Sequence, residues 1–436
     1  MKYSRYNTIL KYQENYALFN SINQKVIFIE EIVKDLINAA IVEGIDNLQG
    51  IHPTLYDYLI QEEFIIDENI DEIEEIKKLS KSVDENHDNF FLTINPTMNC
   101  NFKCWYCYET HIPQSKLGMT MINKVNKLID NQMSSSELKS FNLSFFGGEP
   151  LLYFEKDVIP IIDYYLIKCK EKSLEPLIGF TSNGYLINDK FIDYFRSKGV
   201  KSALQITLDG YKEKHDKIRY VSSSKGSYEK IVKNIKLLVR NEFFVNIRIN
   251  YTTKNIEDTF KIANEFSDLD QDLKDRFLKF DFHRVWQDNQ IDDTDEIAQK
   301  NIQQIKETGI DAQSGYSADN VRNSCYADKR NSAVINYNSD VYKCTARDFL
   351  AEKREGYLTD DGIIIWENDS LDKRMSSKFN NKPCLSCKIM PLCNGGCSQH
   401  ALDNLGREYC VFFGDENEKD KVIINKINEI VEVNFN

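Results

Sequence analysis

The sequence predicts an α/β protein: a partial (β/α)6 barrel, with a small α+β domain before it and a cysteine-rich domain after it. Three observations predict this. From Phe90 to about Val285, six β-type runs alternate with helical stretches, and such alternation means parallel pairing with right-handed crossovers. The first 89 residues hold a short hairpin and three helical stretches, and lead into the polar run SVDENHDN. Cysteines crowd into "CNFKCWYC", Cys100 to Cys107, and "CLSCKIMPLCNGGC", Cys384 to Cys397, with Cys325, Cys344 and Cys410 around the second.

The elements follow in order. In residues 1–89, "YALFN" and "KVIFIE" are β-type runs joined by "SINQ", a hairpin. "EEIVKDLINAAIV" has helical apolar spacing, "HPTLYDYLIQEEF" carries Pro53 near its first turn, and "NIDEIEEIKKLSK" is a third helix. In residues 90–285 the strands are "FFLTI", "SFNLSFF", "LIGFTSN", "SALQITLD", "FVNIRINYT" and "LKFDFHRV". Helices between them include "TMINKVNKLIDNQM", "NDKFIDYFRSKG" and "SYEKIVKNIKLLVRN". Residues 286–324 are polar and weakly patterned, with one helix near "DEIAQKNIQQIKE", and read as a linking insertion. From Cys325 to residue 436 strands are short and the chain ends in the amphipathic "KDKVIINKINEIVEV".

Composition narrows the class. The chain has 436 residues, 42% hydrophobic and 28% charged, which suits a globular protein of two or three domains. "MKYSRYNTILKYQENY" has no apolar core of a secretory signal. No apolar run approaches the ~20 residues of a membrane span. The expected location is therefore cytoplasmic, with no membrane partner. The net charge is −13, and residues 1–90 hold 18 acidic and 8 basic residues, a net of −10. Such a segment repels phosphate backbones, which excludes nucleic acid and suits a basic peptide.

Eleven cysteines in a reducing compartment point to metal or redox chemistry rather than disulfides. Cys169 alone lies outside the clusters, in the helical "VIPIIDYYLIKCK", and is expected to be a buried small hydrophobe. Cys100, Cys104 and Cys107 directly follow the first barrel strand, at the end where ligands of such arrays sit. Three ligands leave a metal position open for a reactant. Two readings remain on local spacing: a [4Fe–4S] cluster with one open iron, or a zinc site completed by His111.

The further motifs at the strand ends favour the cluster. "FFGGEP" follows the second strand, "TSNG" the third and "TLDG" the fourth. With Cys100-x3-Cys104-x-Tyr106-Cys107, this arrangement resembles the radical S-adenosylmethionine (SAM) enzymes. That resemblance implies SAM bound to the open iron and cleaved to a 5′-deoxyadenosyl radical that takes hydrogen from substrate. It implies an electron donor such as flavodoxin or ferredoxin. It implies that Gly147, Gly148 and Glu149 meet the SAM ammonium, and that Ser182 and Asn183 meet the ribose or carboxylate. Asp209 and Arg219 are further candidates, and Tyr106 is expected to pack over the cluster or the adenine edge.

The second field, Cys384-x2-Cys387-x5-Cys393-x3-Cys397 with Cys325, Cys344 and Cys410, resembles the SPASM extension of some radical SAM enzymes. Ser339 departs from it, standing where that family usually has glycine. The resemblance implies two auxiliary [4Fe–4S] clusters. Cys384, Cys387, Cys393 and Cys410 would hold one. Cys325, Cys344 and Cys397 would hold the other, whose fourth position takes a non-cysteine ligand or stays open for substrate. The alternative for this field is a pair of zinc knuckles.

Three functions compete: a maturase of ribosomally made peptides, an anaerobic sulfatase maturase, and a non-catalytic metal-stabilised binding module. Residues 1–89 resemble the leader-binding front domain of peptide maturases, which takes a leader peptide as an added strand. Thr345, after Cys344, stands where sulfatase maturases carry an aspartate base. The expectation is a precursor-peptide maturase that installs a modification such as a thioether or carbon–carbon crosslink. Asp348, Glu109 and His283 are candidate bases to which sequence assigns no role.

Overall fold

The computed structural model describes residues 1–222, 225–288, 293–314 and 321–435. They group into two compact units rather than four consecutive segments. One comprises Met1–Asn86, Ser317–Arg330 and Leu371–Asn436, the other His87–Tyr316 and Asn331–Ser370.

The second unit holds the barrel. Its strands are β1 (Asn89–Asn95), β2 (Ser140–Phe145), β3 (Leu177–Ser182), β4 (Ala203–Leu208), β5 (Phe244–Tyr251), β6 (Leu278–Arg284), β7 (Asp311–Ser314) and β8 (Ser332–Asn336). The sheet runs β7-β6-β5-β4-β3-β2-β1-β8, all parallel. Helices α1 (Gly118–Met133), α2 (Ile159–Lys172), α3 (Asp189–Lys198), α4 (Tyr228–Arg240) and α5 (Gln271–Phe277) lie between the strands, and α6 (Thr294–Lys306) precedes β7. The boundaries of α3 show why. The Asn188 side chain accepts from the Phe191 N–H at its start, and Gly199 at φ 66° ends it. Both are standard terminators. Phe191, Ile192 and Phe195, at helical spacing, are buried in the core.

Alternation divides the strands into two faces. Phe90, Leu92 and Ile94 of β1, Phe141, Leu143 and Phe145 of β2, and Val245, Ile247 and Ile249 of β5 join the helices in one apolar core. Cys169 of α2 lies in that core, as expected of a small hydrophobe. The other face carries Thr93, Asn95, Ser144, Gln205, Thr207, Asn246, Arg248, Asn250, Asp281 and His283. Parallel strands buried on both faces are usually apolar throughout. A polar inner face marks a lumen built for a ligand.

The sheet exceeds the six expected strands. The segment read as a linking insertion supplies α6 and β7, and β7 pairs with β6 from Lys279↔Asp311 to Phe282↔Ser314. Its four residues, DAQS, are too short and polar to announce a strand. The expected C-terminal domain is also divided. The buried strand β8 pairs with β1. Three antiparallel strands, Asp340–Tyr342, Gly356–Leu358 and Ile364–Trp366, then extend the barrel sheet.

In the first unit the expected hairpin is the pair Asn15–Asn20 and Val26–Ile29. A further strand, Asn7–Tyr12, lies on its other side. The three expected helices are Glu31–Glu43, Pro53–Gln61 and Glu72–Asp84. The middle strand buries both faces. Leu18 packs with Ile37 and Leu59 of these helices and with Leu48 of the short helix Asn47–Ile51. Ala17 and Phe19 pack with Ile389, Leu392, Cys393, Ile423 and Ile427. Residues 1–86 therefore share a core with the cysteine-rich segment and are not a free-standing module. Buried ions close this unit: Lys378 Nζ lies 2.5 Å from Asp84 Oδ2 and 3.4 Å from Asp328 Oδ2, all three at most 6% exposed. Among the described residues no helix is long and apolar enough to cross a membrane.

Candidate active site

The Cys100–Cys107 loop leaves the C-terminal end of β1 and is closed at its base. The Thr97 hydroxyl donates to the Ser115 carbonyl at 2.6 Å, the Met98 N–H to Ser115 Oγ at 2.9 Å, and the Ile112 N–H to the Met98 carbonyl at 3.0 Å. Phe102, 1% exposed, anchors the loop edge-on against Tyr185. The far side is tied down as well. The Tyr108 hydroxyl donates to the Thr345 carbonyl, Thr110 bonds Asp348 through its N–H (2.9 Å) and hydroxyl (2.7 Å), and Tyr108 stacks on Trp286. Cys100 and Cys104 are half-buried and Cys107 exposed. Burial pushes the Cys100 thiol up to about 12 and raises Cys104 as well. Such thiols ionise only when a positive centre offsets their lost hydration.

The second strand's turn presses against this loop. Gly147 and Gly148 have φ of 74° and 38°. A Cβ on Gly148 would stand 2.2 Å from the Asn99 carbonyl oxygen, so only glycine permits the approach. Asn99 directly precedes Cys100, and its carbonyl accepts the Glu149 N–H at 2.9 Å. The fully buried Glu149 carboxylate accepts from the Ser182 hydroxyl (2.8 Å), the Asn183 N–H (2.8 Å) and the Leu151 N–H (3.0 Å). Asn183 Nδ2 donates to Asn101 Oδ1 at 2.8 Å and lies 4.0 Å from Cys100 Sγ. The rim residues read from sequence thus come together, and Glu149 binds "TSNG" to "GGEP".

Asp209 and Arg219 meet Tyr106. The Tyr106 hydroxyl lies 2.6 and 2.7 Å from the two Asp209 oxygens. Arg219 Nε donates to Asp209 at 2.5 Å and Nη2 to the Tyr106 oxygen at 2.7 Å, while Asn250 Nδ2 reaches that oxygen at 3.0 Å. His215, fully buried, holds this set from behind. Its Nδ1 accepts the Asp209 N–H at 3.1 Å and its Nε2 lies 2.9 Å from Ser227 Oγ, which donates to the Arg219 carbonyl at 2.6 Å. Burial, and then the Arg219 charge, keep His215 neutral.

Sequence reading missed His215, Asn101, Arg248 and Asn250. A signal existed for two of these: "FVNIRINY" places Asn246, Arg248 and Asn250 at every second position of an otherwise apolar strand. The candidate bases are all engaged. Glu109 accepts the Gly148 N–H at 2.7 Å and is pushed up to about 7 by burial. Asp348 holds Thr110, and His283 lies 2.7 Å from Asp281. His111 Nε2 lies 3.6 Å from Cys107 Sγ.

In the other unit Cys384, Cys387, Cys393 and Cys410 line one cavity, with Ile389, Met390, Val411 and Phe412. Cys325 and Cys397 belong to the same unit and Cys344 to the barrel unit. Among the described residues no three His, Cys, Asp or Glu side chains converge on one ion. Thiolates around a single tetrahedral zinc stand about 3.8 Å apart, given a Zn–S distance of about 2.3 Å. Ligands of a cuboidal cluster bind separate irons and stand farther apart.

Residues 94–266 match the family model of the Radical SAM superfamily. The barrel unit carries a radical SAM domain. Relatives of this domain include the cysteine-type anaerobic sulfatase-maturating enzyme of Clostridium novyi (strain NT), 29% identical over 192 residues, 42% of this chain and 48% of that protein. They also include the antilisterial bacteriocin subtilosin biosynthesis protein AlbA of Bacillus subtilis (strain 168), 28% identical over 182 residues, 41% of this chain and 36% of that protein. The chain thus spans less than half the length of these two curated relatives. Solved structures of like fold include native anSMEcpe with bound AdoMet (TM-score 0.58, 18% identity, 78% of this chain and 98% of that one). Streptococcus suis SuiB bound to S-adenosylmethionine also shares it (TM-score 0.53, 16% identity, 95% and 100%). A radical SAM domain works with a [4Fe–4S] cluster and SAM. The three raised thiols on a closed loop, beside a polar lumen, fit that cluster as a donor set.

Proposed function

We propose that the protein is a radical SAM maturase acting on a ribosomally made precursor peptide. The observation that carries this reading is the fastening of the three-cysteine loop, through Gly148 and Tyr106, at the mouth of a polar barrel lumen. In the proposal Cys100, Cys104 and Cys107 hold the SAM-binding cluster. When bound and reduced by one electron from an external donor, SAM supplies the 5′-deoxyadenosyl radical that abstracts hydrogen from the peptide. Gly147 and Gly148 offer backbone to SAM, and Asn183, beside Cys100, offers its side chain. Glu149, Ser182, Asp209 and Arg219 act mainly by fixing these groups and Tyr106, which orders the site before SAM arrives. Arg248, on the lumen wall, keeps its guanidinium near the same network.

The other unit supports the peptide reading. Cys384, Cys387, Cys393 and Cys410 are assigned to one auxiliary cluster, and Cys325 and Cys397 of the same unit are ligand candidates for a second. Val26–Ile29 is an edge strand with Phe28 46% exposed, and Ile32 nearby is 74% exposed. An unpaired edge beside apolar side chains suits a leader peptide added as a strand. SuiB, a structural neighbour, is solved with its precursor peptide SuiA. The likeness to sulfatase-maturating enzymes keeps oxidation of a protein cysteine or serine as the second reading.

The test is anaerobic co-expression with candidate precursor peptides, followed by their mass change and by 5′-deoxyadenosine formation. A Cys100→Ala/Cys104→Ala/Cys107→Ala variant is expected to lose SAM cleavage and keep C-terminal iron. Phe28→Ser is expected to weaken leader peptide binding at least tenfold and leave uncoupled SAM cleavage unchanged. Mass change in a sulfatase-derived peptide, with none in any leader-bearing peptide, refutes the reading.

A further inference from the structure

Among the residues that line the cavity of Cys384, Cys387, Cys393 and Cys410, one has a buried side-chain oxygen without a protein partner. Tyr409 lies on its wall, and its hydroxyl is buried and accepts or donates no hydrogen bond. The rest of the residue is held firmly. Its N–H donates to Asn381 Oδ1 at 3.3 Å, its carbonyl accepts from Asn381 Nδ2, and its ring packs 5.3 Å from that of His400. Asn381 Nδ2 also lies 3.4 Å from Cys384 Sγ. A buried phenol without a partner loses a hydrogen bond's worth of free energy, and buried tyrosine hydroxyls normally find one. Burial raises the phenol's pKa, and Cys384, Cys393 and Cys397 are near enough to add to that rise.

We propose that the Tyr409 O–H donates a hydrogen bond to a sulfur of the cluster held by Cys384, Cys387, Cys393 and Cys410, and sets that cluster's reduction potential. This rests on the ligand assignment above. Hydrogen bonds to cluster sulfurs tune the potential. A neutral donor stabilises the reduced, more negative state, so Tyr409 raises the potential. Asn381, bonded both to the Tyr409 backbone and toward Cys384, fixes where the phenol points.

The test uses full-length protein in the Cys100→Ala/Cys104→Ala/Cys107→Ala background, so that only C-terminal clusters report. Iron and sulfide are assayed, and each cluster is titrated electrochemically with electron paramagnetic resonance detection. Tyr409→Phe is expected to keep its iron and to shift one midpoint negative, the other unmoved. Unchanged midpoints with iron retained overturn the proposal. Should Tyr409→Phe shed iron, 3-fluorotyrosine at position 409 decides, because it keeps the shape and donates more strongly: a positive shift upholds the proposal and no shift overturns it. Failure of the ligand assignment is separate. It shows as unchanged iron content in Cys384→Ala/Cys387→Ala.

Discussion

Replacing Gly148 by alanine should disable the site without unfolding the barrel. Gly148 sits at φ 38°, and a left-handed conformation costs a non-glycine residue about 1–2 kcal/mol. The new Cβ would lie 2.2 Å from the Asn99 carbonyl oxygen and 2.9 Å from the Met98 carbonyl carbon. Comfortable contacts are near ~3.5 Å, so Asn99 must retreat by about 1 Å. That retreat breaks the 2.9 Å bond from the Glu149 N–H, worth about 1 kcal/mol, and drags Cys100 with it. The sum, about 2–3 kcal/mol, corresponds to a loss of SAM affinity of about 30- to 150-fold at ~1.4 kcal/mol per decade. Gly147→Ala is a graded control: its Cβ would meet Asn95 Cβ at 2.7 Å, a milder approach than the 2.2 Å at Gly148 and away from the residue that precedes Cys100. Equilibrium binding of SAM to the reconstituted protein gives the ratio, with thermal unfolding run alongside. The reasoning fails if Gly148→Ala binds SAM as tightly as the parent, or if Gly147→Ala is the more damaging of the two.

Other consequences follow from buried groups. Folding keeps His215 neutral where the unfolded chain binds a proton below pH ~6.5, so acid favours unfolding by up to about 1.4 kcal/mol per pH unit. Relative to wild type, His215→Gln should flatten the acid side of the stability–pH curve below pH ~6.5, and parallel curves refute this. Lys378→Met removes the ammonium that ion-pairs with the buried Asp84 and Asp328 and leaves Lys329 as their neighbouring cation, so it should destabilise in denaturant unfolding by less than the about 3–5 kcal/mol of a wholly unpaired buried charge. Adding Asp84→Asn should restore part of the loss, and additive losses would count against the pair. Ser339 holds φ 76° in the turn between β8 and Asp340–Tyr342. Ser339→Gly relieves that conformation, worth about 1–2 kcal/mol, but gives up the Oγ contacts to Lys124 Nζ (3.3 Å) and Met121 Sδ (2.8 Å) and adds chain entropy to the unfolded state, so the melting temperature should stay within a few degrees of the parent's, and a larger shift either way sinks that argument.

The barrel was legible because its signals are local. Period-two strands and 3.6-period helices declare themselves within windows of about ten residues. The cysteine loop, "FFGGEP", "TSNG" and "TLDG" each follow a strand directly, so placing the strands placed the motifs. What stayed hidden depends on partners far along the chain. Tyr106, Asp209, Arg219 and Asn250 form one hydrogen-bonded set, but nothing near any of them in sequence names the others. The same holds for β7, whose four polar residues become a strand only because β6 offers an unpaired edge.

The grouping of residues 1–86 with the cysteine-rich segment had a faint signal that the composition of the N-terminal stretch obscured. "YALFN" is a short continuous apolar run, and a strand with one wet face would alternate. Ala17 and Phe19 on one face, and Leu18 on the other, are all fully buried, so a second cover had to exist. It is supplied by Ile389, Leu392, Cys393, Ile423 and Ile427. This has a consequence for how peptide capture is tested. Cys393 lines the four-cysteine cavity and sits in that shared core, so deleting the first 86 residues would expose Cys393, a ligand of the proposed auxiliary cluster, as well as remove the edge strand. Loss of activity on truncation would then not separate substrate binding from cluster loss. Substitution at the exposed Phe28, which leaves the shared core intact, does separate them.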